Sequence, residues 1–297
     1  AKNPDEKLYP ASLTKVMTCL IALERGNLTD MVTVSESAIS NLDPDGTSAY
    51  LQAGEEISLG DLLYCLMVES ANDAAAVVAE YIAGSQAAFV NLMNQKAAQI
   101  GCTGTNFANP HGLHHENHYT TARDLLTLTI EAMKNETIAE LVAQDEVVLP
   151  ITNKHDRTTT KYTTNHLLTK KSTGEYYYEG AFGIKTGTTT PAGLCLVAGC
   201  SKGDYTYYSV VLGCEKVEGR SLQFEETIKL FNWGAASYSQ QVMLSSSEPI
   251  TTVPVRLADE KDTVVVRPAE NITAMLPNTF ETTDLDGNPI SFGIGKT

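Results

Sequence analysis

No stretch of the 297 residues reaches the roughly eighteen consecutive apolar positions that a membrane-spanning helix needs. Basic residues are scarce, with 21 Lys plus Arg against 36 Asp plus Glu and a formal net charge of −15. That balance excludes nucleic acid, or an anionic membrane surface, as the main partner, because both are recognised through clustered positive charge. Cysteines are few and unpatterned: Cys19, Cys65, Cys102, Cys195, Cys200 and Cys214 show neither CxxC pairing nor metal-ligand spacing. Most lie in apolar surroundings such as Thr18-Cys19-Leu20, so they read as small buried hydrophobes rather than a disulfide framework or a thiol nucleophile. No basic-then-apolar leader opens the chain, which starts abruptly at Ala1 and is expected to be a trimmed piece of a longer precursor. Internal repeats and low-complexity segments are also lacking.

What is present is core-forming sequence, 42% hydrophobic, enough for one large domain with a small appendage. Residues 12–25 carry Leu13, Val16, Met17, Cys19, Leu20, Ile21 and Leu23 on every face, which predicts a helix in the centre of a domain. It follows Pro10 and stops near Gly26-Asn27. Helical periodicity returns over 61–68, 73–83, 86–100, 121–134 and 136–143, and again over about 220–236. Phe182 to Thr188, Leu194 to Gly199 and Tyr205 to Gly213 read as strands, and their short connections require antiparallel pairing. The expected class is α+β, an antiparallel sheet flanked by helices with a helical cluster inserted, over residues 1–240. From 241 to 297 short runs (Ile250 to Arg256, Thr263 to Arg267, Ile272 to Leu276) predict a small β-rich domain.

Three short motifs carry chemistry, and each occurs once. Ser12-Leu13-Thr14-Lys15 is S-x-x-K; on a helix, residues three apart share a face, so the Lys15 amine can reach the Ser12 hydroxyl. The helix N-terminus favours a developing alkoxide, and an apolar setting lowers the amine's pKa toward that of a general base. Ser70-Ala71-Asn72 sits at a junction between two predicted helices, where a hydroxyl and a carboxamide can relay a proton and hold an amide. Lys185-Thr186-Gly187, followed by Thr188, lies on a predicted strand and offers an anion-binding edge, with Gly187 permitting close approach of another backbone. Singly, each is matched by an ordinary helix cap or surface lysine. Their order, each on the element its chemistry needs, favours function.

With Tyr9-Pro10-Ala11 before Ser12, Glu69 and Asp73 around the second motif, Asn109-Pro110-His111-Gly112-Leu113 and Tyr119-Thr120-Thr121-Ala122-Arg123-Asp124 between, and Ala192-Gly193-Leu194 after the third, residues 1–240 resemble a known family. It is that of the low-molecular-mass penicillin-binding proteins, serine D-Ala-D-Ala carboxypeptidases of the S11 peptidase type. The resemblance implies a β-lactamase/transpeptidase-like fold and an acyl-enzyme on Ser12, with Lys15 as base and Ser70 as proton relay. It implies Asn72 on the substrate peptide, Lys185, Thr186 and Gly187 near its terminal carboxylate, and an oxyanion hole from the N–H groups of Ser12 and Thr188. The implied partners are a peptidoglycan stem peptide ending in D-Ala-D-Ala and β-lactams, with no cofactor, no metal and no nucleic acid. Action outside the cytoplasmic membrane is implied, the full-length protein being membrane-associated. The family's first strand and its terminal anchor helix find little match here, so the expectation is either a sheet that lacks an edge or a chain truncated at its N-terminal strand.

Two rival readings are weaker. A class A β-lactamase needs a deacylating glutamate, commonly in E-x-x-x-N, and none of Glu116, Glu131, Glu136 and Glu140 in the right interval is read as having its asparagine four residues on. A metal module could use His111, His114, His115 and His118, but Gly112 interrupts them and no fixed ligand spacing appears; they read as loop histidines bound to nothing. A non-catalytic muropeptide binder would not need every catalytic position filled.

Overall fold

The computed structural model describes residues 1–40, 46–170, 174–254 and 263–278, and the chain divides into two units, Ala1–Phe231 and Asn232–Thr297. The first is organised around one helix. A 3₁₀ turn, Ala11–Thr14, leads into α1 (Lys15–Arg25), in which every residue from Lys15 to Ala22 is buried. The all-round apolar pattern therefore does what such patterns do, and places the helix in the core. The helix stops at Gly26, where a Cβ would come within 2.6 Å of Leu59 Cδ2.

Around α1 the chain lays a shell. Strand β1 (Met31–Thr33), followed by α2 (Glu36–Ser40), pairs antiparallel with β2 (Glu56–Ser58). Helix α3 (Leu59–Tyr64) is capped by Ser58, whose hydroxyl accepts from the Asp61 N–H, and widens into a π-helical segment, Cys65–Glu69. Next come α4 (Asn72–Ala83), α5 (Gln86–Gln99), α6 (Ala122–Ala132) and α7 (Glu136–Val142). The last three have side-chain caps from Ser85, Thr121 and Asn135, the residue types that satisfy orphan N–H groups. Hairpin β3 (Glu146–Leu149) and β4 (Thr159–Tyr162) follows; neither this pair nor β1 and β2 is anticipated from the sequence, because strands of three or four residues carry too little alternation.

Strands β5 (Ala181–Thr189), β6 (Gly193–Lys202) and β7 (Tyr205–Cys214) form an antiparallel sheet in that order, as expected. The middle strand is buried on both faces. Cys195 and Val197 join the core around α1, while Leu196, Ala198 and Cys200 pack with Phe224 and Phe231 of α8 (Leu222–Ser237). Alternate side chains pointing to opposite faces explain why β6 reads as a continuous apolar run. All six cysteines are free, and five of them are buried, as their apolar context implies.

In the second unit, β8 (Tyr238–Leu244), β9 (Thr251–Pro254), β10 (Thr263–Val266) and β11 (Ile272–Pro277) form two antiparallel pairs, β8 with β11 and β9 with β10. Strand β8 continues directly from α8 and is not anticipated. Val255 and Arg256, and the end of the expected β-rich domain beyond residue 278, lie outside the described residues.

Candidate active site

Ser12 sits in the 3₁₀ turn rather than in the α-helix that the sequence predicts. The difference has a consequence, because residues three apart eclipse in a 3₁₀ turn. Lys15, three residues on, therefore stands over the serine, with Nζ 3.0 Å from Ser12 Oγ. Ala11, just before it, holds a left-handed φ of 48°, a conformation that costs a residue with a Cβ about 1–2 kcal/mol. Lys15 itself is fully buried.

The lysine amine is the centre of the constellation. Besides Ser12 Oγ it lies 2.7 Å from Asn72 Oδ1 and 2.7 Å from the His111 carbonyl oxygen. Both of those oxygens can only accept. Burial, and secondarily the charge of Lys185, push the Lys15 pKa well below its usual value, against a smaller opposing pull from Asp73. A neutral amine has two protons and one lone pair. Asn72 and His111 take the protons, so the lone pair faces the Ser12 hydroxyl, the geometry of a general base.

Ser70 and Asn72 enter from the junction between the π-helical segment and α4. Ser70 has φ 73° and is buried, and Asn72 donates its N–H to Thr47 O at 2.8 Å. The neighbouring Asp73 carboxylate holds the segment 48–51, accepting from Ser48 Oγ at 2.7 Å, Ala49 N at 2.9 Å and Leu51 N at 3.1 Å. Glu69, on the other side of Ser70, is paired with Lys161 of β4 at 2.8 Å. The second motif is thus tied at both flanks.

The third motif lines β5. Gly187 lies against the nucleophile turn: a Cβ there would sit 3.0 Å from Pro10 O, 3.1 Å from Ser12 N and 3.2 Å from Ala11 Cβ. The glycine anticipated as a point of close approach is therefore the contact between sheet and catalytic turn. Lys185 is 1% exposed, and burial pushes its pKa down to about 7. Its Nζ lies 3.2 Å from the carbonyl oxygen of Thr186. Thr186 Oγ1 lies 2.5 Å from Thr164 Oγ1, which brings to this edge a hydroxyl that no sequence motif marks. Thr188 is exposed at the strand's end.

The histidine-rich segment is not a set of loop side chains bound to nothing. His111 is buried and its Nδ1 accepts from Leu113 N at 3.2 Å; His118 is 2% exposed and hydrogen-bonded at both ring nitrogens. Burial holds both rings far below the ordinary histidine pKa, at about 3. Among the described residues, no group of three or more His, Cys, Asp or Glu is placed to hold a metal ion. The segment instead clamps α1, with Thr18 Oγ1 donating to Pro110 O at 2.6 Å and Gly112 packed on the Ala11 carbonyl.

The β-lactamase pattern also needs correction. Glu131 does have Asn135 four residues on, so spacing alone does not dismiss it. Its carboxylate, however, is paired with Lys134 at 2.6 Å, and Asn135 is spent capping α7. Neither residue joins the hydrogen-bonded cluster around Lys15.

Residues 1–216 match the family model described as Peptidase_S11, D-alanyl-D-alanine carboxypeptidase. The D-alanyl-D-alanine carboxypeptidase DacF of Bacillus subtilis is 33% identical over 88% of this chain and 64% of its own length. A D-alanyl-D-alanine carboxypeptidase of a Streptomyces species is 31% identical over 79% of this chain and 81% of its own. Among solved structures, penicillin binding protein 5 from Haemophilus influenzae superposes with a TM-score of 0.72 at 30% identity, covering 94% of this chain and 78% of that one. This chain spans just under two thirds of the length of relatives such as DacF.

Proposed function

This chain belongs to the D-alanyl-D-alanine carboxypeptidase family, and on that premise we propose that it removes the terminal D-alanine from peptidoglycan stem peptides through an acyl-enzyme on Ser12. The observation that carries the reading is the Lys15 amine, buried and shared between Ser12 Oγ, Asn72 Oδ1 and His111 O. Lys15 takes the Ser12 proton as Oγ attacks the penultimate D-alanine carbonyl. The Ser12 and Thr188 N–H groups receive the developing oxyanion, in the position where donors lower a transition state most. The proton taken up by Lys15 passes through Ser70 to the leaving D-alanine nitrogen as the peptide bond breaks, which returns Lys15 to its neutral form. Lys185 and Thr186 hold the terminal carboxylate, Gly187 lets the nucleophile turn lie close against the substrate-binding strand, and the Asn72 carboxamide steadies the peptide chain beside the serine. Water then gives a proton to Lys15 as it attacks the ester, and Lys15 returns that proton to Ser12 Oγ as the shortened peptide leaves.

A β-lactam presents a strained amide and a carboxylate at similar positions, so it acylates the same serine. With Glu131 engaged elsewhere, hydrolysis of that ester is slow, and the protein is a target of these compounds rather than a defence against them. The substrate places its action outside the cytoplasmic membrane. The test is release of D-alanine from diacetyl-Lys-D-Ala-D-Ala, together with covalent labelling by a fluorescent penicillin. Both should vanish in Ser12→Ala, and labelling that survives the substitution would overturn the assignment.

A further inference from the structure

The chemistry above gives no task to His118, a buried polar group hydrogen-bonded to the nucleophile turn. His118 is 2% exposed, deep in the first unit, and belongs to the cluster that a metal site does not explain. Its Nδ1 lies 3.0 Å from the Ala108 backbone N–H, which can only donate, so Nδ1 must accept. Its Nε2 lies 2.7 Å from Thr14 Oγ1, and that hydroxyl has committed its single proton to the Ala11 carbonyl at 2.8 Å. Nε2 must therefore carry the proton. Only one arrangement satisfies every group, a neutral imidazole in a one-way chain: Ala108 N–H to Nδ1, Nε2–H to Thr14 Oγ1, Thr14 O–H to Ala11 O.

The chain ends on the carbonyl of the residue before the nucleophile, the one held at φ 48°. Left to local preference Ala11 relaxes toward negative φ, and the Ser12 N–H and Oγ turn with it. We propose that His118 is a positioning residue, holding Ala11 in its left-handed conformation through Thr14 so that Ser12 stays aimed between Lys15 and β5. Gly112 lies close against the same carbonyl, so the peptide group between Ala11 and Ser12 is set by steric contact and hydrogen bond together. This rests on the reading of Ser12 as nucleophile. The histidine touches no reacting atom, and its protonation state does not change during the reaction.

The test measures acylation by a fluorescent penicillin in His118→Leu, His118→Gln, Thr14→Val and the double variant His118→Leu/Thr14→Val, with thermal unfolding of each. A glutamine carboxamide offers one acceptor and one donor at a spacing close to that of the imidazole nitrogens, so it can keep the chain. His118→Leu and Thr14→Val should each slow the acylation step about tenfold or more, since misplacement on the order of 1 Å costs up to about a hundredfold. Noncovalent affinity for the β-lactam should stay the same. His118→Gln should stay within about threefold of the parent, and the double variant should be no slower than the slower single. Wild-type acylation in folded His118→Leu or in Thr14→Val overturns the proposal. So does a His118→Gln protein as slow as His118→Leu, or a double variant whose effects multiply. Should His118→Leu fail to fold, Thr14→Val and His118→Gln decide alone: a slow first and a fast second support the chain, and any other pairing overturns it. Ser12→Ala run alongside separates the two claims, because labelling retained there refutes the nucleophile and not merely its mounting.

Discussion

Placing a single methyl group on Gly112 should slow acylation of Ser12 without changing the side chain of any residue proposed to contact substrate. A Cβ at that position would lie 2.0 Å from Ala11 O, 2.4 Å from Ala11 C and 2.9 Å from Ser12 N. Even a close C–H···O contact needs about 3.3 Å, so one of the two backbones must retreat by more than about 1 Å. The retreat is costly on either side. Ala11 O is held by the Thr14 hydroxyl, while Gly112 N is bonded to Asn109 Oδ1 at 2.7 Å and its neighbour His111 accepts from Lys15. The φ of +92° at Gly112 adds strain for any residue with a Cβ, about 1–3 kcal/mol. Since a shift on the order of 1 Å in a reacting group costs about a hundredfold in rate, Gly112→Ala should lower penicillin acylation by roughly that factor. Gly84→Ala is the matched control. It has φ +77° but nothing within 4 Å of the new methyl, so it should lose stability and keep its acylation rate. A folded Gly112→Ala protein that acylates within about threefold of the parent would refute the idea that this contact sets the serine.

Two further predictions concern the buried lysines. Lys15 must be neutral to accept the Ser12 proton, and burial chiefly depresses its pKa; the acylation rate should rise with pH through an inflection well below 10.5 and then level off. An inflection at the ordinary lysine value in a pH–rate profile would argue against Lys15 as the base. Lys185 has its pKa pushed down to about 7 in the folded protein by burial, whereas the unfolded chain keeps the ordinary value. Between those pH values the unfolded state binds more protons, so this site's penalty on stability is full below about pH 7 and fades as pH rises toward 10. Lys185→Met should therefore abolish D-alanine release yet stabilise the protein against urea at pH 6, by up to about 5 kcal/mol at about 1.4 kcal/mol per pKa unit. A gain of the same size at pH 10 would contradict the cause.

Much of the molecule was legible in the chain. Helix α1, the sheet of β5, β6 and β7, and the burial of the cysteines all follow from long apolar patterns, which record burial directly. The motifs were legible for a related reason: Ser12 and Lys15 lie three residues apart, so local geometry alone brings them together. Short strands escaped, as did the site contributions of side chains that no motif marks and that reach the site only through contact between distant segments. Thr164 reaches Thr186 across 22 positions, and His118 reaches Thr14 across 104. A histidine in a glycine-interrupted loop carries no local sign that its ring is buried, so its role could not be read from spacing.

The sequence by itself determined which residues are chemically able to act: a serine with a lysine one turn on, a hydroxyl and carboxamide pair, and a lysine on a strand. Its apolar patterns determined that the lysine beside the serine would be desolvated. Tertiary structure decided the direction of the chemistry. The Lys15 amine becomes a base aimed at Ser12 because Asn72 and the His111 carbonyl, brought from 57 and 96 residues away, occupy its other bonding positions. Hydrogen-bond direction depends on which donors and acceptors meet, and only the folded chain brings them together.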